Sequence, residues 1–92
     1  MENRCFDLIV ERTGDDVYLS LPNGERLQLR RNRTPVSRNV NGVRVVAWRT
    51  KELFHAEFYL PDGDMLLEYI VDLPAPGGQH TYTFNPNRED AV

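Results

Sequence analysis

Two five-residue segments constrain this chain more than anything else in it. Leu21-Pro22-Asn23-Gly24-Glu25 and Leu60-Pro61-Asp62-Gly63-Asp64 share one pattern. Proline presets φ at the first turn position, Asn or Asp suits the second, and glycine takes the left-handed conformation that closes a type I turn with a G1 bulge. Asn41-Gly42 is a third turn signal, suited to a two-residue type I′ hairpin, and Thr13-Gly14-Asp15-Asp16 is a weaker fourth. A chain reversed this often over 92 residues has little room for long helices.

The runs between the turns have strand character. Strands are expected at about 4–12, 16–21, 26–31, 35–40, 43–50, 53–60, 64–73 and 80–84. Val17, Leu19 and Leu21 alternate with Tyr18 and Ser20, and Leu27 and Leu29 alternate with Arg26, Gln28 and Arg30. The fold class is therefore all-β with at most one short helix: a small antiparallel β-sandwich or barrel built from consecutive hairpins. Residues 1–84 form one domain, and residues 85–92 read as a disordered tail. One segment is ambiguous. Thr50 is a suitable cap for a helix ending at Pro61, but the aromatic density of 53–60 and the turn that follows favour a strand.

Three-residue loops fix which residues face one another. In the first hairpin Leu19 faces Leu27 and Val17 faces Leu29, giving one apolar and one polar face. In the second, an unbroken ladder sets Phe58 against Leu66, Ala56 against Glu68 and Phe54 against Ile70. Its reverse face then pairs Tyr59 with Met65, Glu57 with Leu67, His55 with Tyr69 and Leu53 with Val71. Both faces are largely apolar, and a sheet apolar on both sides should be covered on both. Leu53, Tyr59, Met65, Leu67 and Tyr69 are the expected interface residues, toward a second copy of the chain or another protein.

Charge is unevenly distributed. The net charge is −3, yet Arg26 to Lys51 holds eight cations and no acid, while Glu52 onward holds eight acids and one cation. Arg26, Arg30, Arg31, Arg33 and Arg38 are the candidate grip for an anionic partner, since the guanidinium fork suits carboxylate and phosphate. Tyr18 and Trp48 are near enough in sequence to stack on a base. A net-acidic chain repels nucleic acid, so an acidic protein surface ranks first and nucleic acid second.

No catalytic, metal or cofactor set emerges. His55, His80 and Cys5 lack ligand spacing, and Asp62 and Asp64 are explained by their turn. The glycines make no phosphate loop. The unbroken ladder sends Glu57 and Glu68 to opposite faces, which argues against a shared-proton pair. Asp90-Ala91-Val92 has only the form of a short C-terminal ligand. One cysteine, an N-terminus without leader character and no long apolar run point to a cytoplasmic protein with no membrane segment.

The expected function is a non-catalytic protein-interaction module that self-associates and carries an arginine-rich surface. The alternatives are a structural subunit of a larger, phage-type assembly, a nucleic-acid-binding domain, and a small enzyme with an interface site.

Overall fold

The structure is a computed structural model describing residues 5–85. The N-terminal tetrapeptide, residues 86–92 of the expected tail and the C-terminal tripeptide lie outside the described residues. Eight strands run in chain order: β1 (Phe6–Thr13), β2 (Asp16–Ser20), β3 (Arg26–Leu29), β4 (Val36–Val40), β5 (Val43–Arg49), β6 (Leu53–Tyr59), β7 (Met65–Asp72) and β8 (Gln79–Phe84). They form two four-stranded antiparallel sheets, ordered β3-β2-β1-β8 and β4-β5-β6-β7. The sheets pack face to face. Among the described residues no ladder joins β3 to β4 or β7 to β8, so the fold is a sandwich and not a closed barrel.

The turns form as their residues dictate. The Leu21 N–H donates to the Glu25 carbonyl (2.9 Å) and the Leu60 N–H to that of Asp64 (2.8 Å). Asn23 Oδ1 accepts from the Glu25 N–H (2.9 Å), and Asp62 Oδ1 from the Asp64 N–H (3.0 Å). Gly24 and Gly63 sit at φ 95° and 96°. Asn41 and Gly42, at 52° and 81°, make the tight turn from β4 to β5. Residues 53–59 are strand β6. Thr50 still uses its capping chemistry, but on a β-turn. Its hydroxyl accepts from the Leu53 N–H (3.2 Å), and its own N–H donates to the Leu53 carbonyl (2.9 Å).

The first hairpin has the expected register, Val17 with Leu29 and Leu19 with Leu27. The second does not. Tyr59 pairs with Met65, but Phe58 then pairs with Leu67, leaving Leu66 as an extra residue. This β-bulge corrects every pairing below it: Ala56 faces Tyr69, Phe54 faces Val71, His55 faces Ile70 and Glu57 faces Glu68. The physical reason is the core. Leu66 and Leu67 both pack against it, and the one-residue slip turns Tyr69 and Val71 inward while sending Glu68 and Ile70 outward.

Inside the sandwich the phenyl rings of β6 and β8 stack, Phe58 on Phe84, at 4.3 Å and 12°. Phe6 lies 5.1 Å from Phe84, and Tyr69 meets Phe58 edge-on at 5.4 Å. Leu8, Val10, Val17, Leu19, Leu29, Val43, Val45, Phe54 and Ala56 are buried around them. At one end the core holds a cation. Arg49 continues the inward series Val43, Val45, Ala47 and is only 1% exposed. Its guanidinium donates to the carbonyls of Asp15 (2.6 Å), Thr50 (3.1 Å) and Lys51 (3.4 Å), and lies 3.6 Å from the Asp15 carboxylate. A buried charge survives only when saturated in this way. Because Asp15 belongs to the β1–β2 turn, Arg49 ties one sheet to the other.

Two stability outcomes follow. Nothing lies within 4 Å of a Cβ built at Gly24 or Gly63, so Gly→Val there costs backbone conformation alone, about 1–2 kcal/mol each in denaturant unfolding. Unchanged midpoints in both variants would show that these turns do not need positive φ. Arg49→Met keeps the apolar stem but removes the donor to three part-buried carbonyl bonds, and should lower unfolding free energy by about 2–3 kcal/mol. A loss below about 0.5 kcal/mol, the range of ordinary surface substitutions, would show that the joint is not structural.

Candidate interaction surfaces

The arginine-rich window does not form one free cationic patch. Arg26 lies 4.0 Å over the Tyr18 ring and 3.4 Å from Glu11. Arg38 reaches from β4 to Glu25 on the opposite sheet (3.1 Å). Arg31 pairs with Asp15 at 2.9 Å, and Asp15 also takes Arg12 at 3.4 Å. The compensating acids come from the chain upstream of the window, not from the acidic C-terminal half. The Glu25 carboxyl is held below its ordinary range, first by the Asn23 side-chain hydrogen bond and then by Arg38. Its contribution to stability is therefore present above the ordinary carboxylate range and is lost as pH falls. Arg30 and Arg33 are exposed and have no carboxylate within 4 Å among the described residues. They flank the turn between β3 and β4, where Asn32 Oδ1 accepts from the Thr34 N–H (3.1 Å) and Arg33 holds φ 66°.

The five expected interface residues are divided by the bulge. Leu53, Tyr59 and Met65 lie on the outer face of the β4–β7 sheet, whereas Leu67 and Tyr69 lie on the inner face and pack against the core. That outer face holds residues whose grouping was not foreseen. Trp48 and His55, opposite each other on β5 and β6, stack at 5.0 Å and 9°. The His55 Nε2 is buried with no hydrogen-bond partner among the described residues. Arg44 sits 5.1 Å over the Tyr59 ring, and the Tyr59 hydroxyl donates to Glu57 (2.7 Å). Val46 lies opposite Glu57, and Ile70 and Met65 are 53% and 51% exposed. The period-two alternation of β5 and β6 carried this signal; the β7 part was hidden by the bulge.

Chemically the outer face groups rings, aliphatic chains and carboxylates. Glu57 and Glu68 face each other across β6 and β7, so the reading that they point apart is corrected. They stand on an open sheet with no nucleophile or cleft between them. Among the described residues no three His, Cys, Asp or Glu side chains gather as a metal ion requires. The depression of about 480 Å³ beside Asp15 balances Arg12, Arg31 and Lys51 against Asp15, Glu52 and Asp72, so it offers no net charge to an ion. No helix among the described residues is long and apolar enough to cross a membrane.

The Tyr59 phenol is held above its usual value, chiefly because its proton is shared with Glu57, with desolvation second. The stabilisation from this bond is complete below about pH 10, the ordinary phenol value, and is lost as pH rises through the folded value. Glu57→Ala should return the Tyr59 titration toward that ordinary value in tyrosinate absorbance. An unmoved curve, compared against Tyr59→Phe, would show that the hydrogen bond does not govern the phenol. Comparison with family models, with curated proteins and with solved structures gives no match to this chain.

Proposed function

We propose that this protein is a non-catalytic protein-interaction module that self-associates through the outer face of the β4–β7 sheet. The observation that carries the reading is the row of Val46, the Trp48–His55 stack, Tyr59 and the half-exposed Ile70 and Met65 on a face that no other element covers among the described residues. The inner face of the same sheet already serves the core. Apolar surface grouped on an open sheet costs free energy until a partner removes it from water, at roughly 25 cal/mol per Å².

The placement of rings and aliphatic chains favours a second copy as the occupant. The face carries Trp48 on β5 and Ile70 on β7 on either side of His55, with Arg44 on β5, Glu57 on β6 and Glu68 and Asp72 on β7 around them. A two-fold axis along β6 lays β5 of one copy over β7 of the other at the same level, so Trp48 of each copy meets Ile70 of its mate, and Arg44 meets Met65 one level away from Glu68. Such a contact is isologous and closes as a dimer. Arg30 and Arg33, which have no carboxylate within 4 Å among the described residues, are what the arginine window leaves for an acidic partner. The single cysteine suits a reducing, cytoplasmic setting.

Ile70→Lys tests the reading. At 53% exposure, Ile70 can be replaced without disturbing the core. The variant should keep its melting temperature but lose the face contact, with solution mass by light scattering falling at least twofold. A variant with the mass of the unmodified protein would remove this face from consideration.

A further inference from the structure

A four-stranded sheet has two edges, and each edge is a row of unpaired backbone groups ready to template another strand. Three of the four edges here are guarded. β3 is only four residues long. β4 follows Pro35 and carries Arg38 in register with the inward-facing Val45, a charge turned toward the sandwich interior. β7 is bent by its bulge and bears Glu68 and Asp72. The fourth edge, β8, has none of these devices. It reads Gln79-His80-Thr81-Tyr82-Thr83-Phe84, with no charged residue, no proline and an unbroken register against β1.

The phase of its free groups can be derived. The Arg12 N–H donates to the Gly78 carbonyl (3.0 Å) while the Arg12 carbonyl accepts from the Gly77 N–H (2.7 Å), a bulged start to the ladder in which the Arg12–Gly78 bond sets the phase. Hydrogen-bonded pairs recur at every second residue of an antiparallel ladder, so His80, Tyr82 and Phe84 face β1 with their backbone groups. Gln79, Thr81 and Thr83 must then present theirs at the edge. One independent contact agrees: the Tyr69 hydroxyl on β7 donates to the Thr83 carbonyl (3.1 Å).

We infer that β8 pairs antiparallel with β8 of a second copy about a two-fold axis at Thr81. That register places Thr81 against Thr81, Gln79 against Thr83 and His80 against Tyr82. It uses only the backbone groups left over by β1. The Thr83 carbonyl has a second lone pair for the Gln79 N–H of the mate. Two-fold pairing sets each side chain against its own kind or a near neighbour, which is unfavourable for a charged strand. β8 is uncharged, and its Thr–Thr and aromatic pairs are among those that stabilise sheets. The His80 and Tyr82 rings already meet at 6.0 Å along the strand, and Tyr69 stands 6.1 Å from Tyr82. The side chains of an incoming β8 thus meet an aromatic wall.

This contact is separate from the outer face of the β4–β7 sheet and does not depend on it. A chain with two isologous contacts assembles past the dimer, into a closed tetramer or an open array. Thr81→Lys sets two like charges across the two-fold. Thr81→Pro removes an N–H that β1 does not use, a position where an edge strand tolerates proline. Light scattering should give four chains or more for the native protein and two for either variant. It should give two for Ile70→Lys and one for Ile70→Lys combined with Thr81→Lys. In the Ile70→Lys protein, exchange at the Thr81 amide should slow as concentration rises. If both Thr81 variants keep the native mass, or if Ile70→Lys alone is a monomer with concentration-independent exchange at Thr81, the β8 pairing is overturned while the outer-face reading stands. If Ile70→Lys keeps the native mass and Thr81→Lys halves it, the pairing stands and the outer-face reading falls.

Discussion

The ring stack between the sheets is the interaction on which the rest of the molecule depends. Phe58 on β6 lies against Phe84 on β8, Phe84 against Phe6 on β1, and Tyr69 on β7 closes the cluster edge-on. Each such pair is worth roughly 0.5–1.5 kcal/mol beyond the area it buries. The geometric effect matters more. The cluster fixes which face of each sheet turns inward, and so decides what every outward residue presents to water. The bulge at Leu66 is a consequence, because without it Tyr69 would point away from Phe58 and Glu68 would enter the core.

Arg49 provides the complementary anchor at the other end. Hydrophobic contact between two sheets is non-directional and sets no angle or offset. A guanidinium held by the Asp15, Thr50 and Lys51 carbonyls does set them, because its donors lie in one plane at fixed angles. Asp15 also draws in Arg12 and Arg31, and Glu25 takes Arg38 across the sheets. Arg38 and Arg49 of the arginine window are therefore engaged in joining the two layers, and the surface on the β4–β7 side depends on rings and aliphatic chains.

The hairpin architecture was legible because it rests on local chemistry. Proline and glycine fix turn geometry regardless of tertiary context, and the alternation of 17–21 and 26–30 admits one register. The bulge was not legible, because Met65-Leu66-Leu67 is apolar throughout and any of the three could serve the core. Only the demand of Phe58 for Tyr69 chooses among the phases, and that demand is non-local. The burial of Arg49 had a readable signal, as the fourth member of the inward series on β5, but counting charge along the chain obscured it. The pairing of Glu57 with Glu68 is hidden in the sequence for the same reason as the bulge. The acids that neutralise Arg26, Arg31 and Arg38 come from turns and strands whose proximity exists only once the sandwich forms.

The strand order has a kinetic consequence. β1 to β3 and β4 to β7 are meanders in which every ladder joins chain neighbours, and β1–β8 is the one ladder that spans the chain, from Phe6 to Phe84. Closing a short hairpin takes microseconds, whereas a ladder of high sequence separation must first bear the entropy of a long loop. The two meanders are thus the units that can form early. The chain is committed to its native state only when β8 crosses over and lays Phe84 between the rings of Phe6 and Phe58, and until that moment the edge of β1 is open.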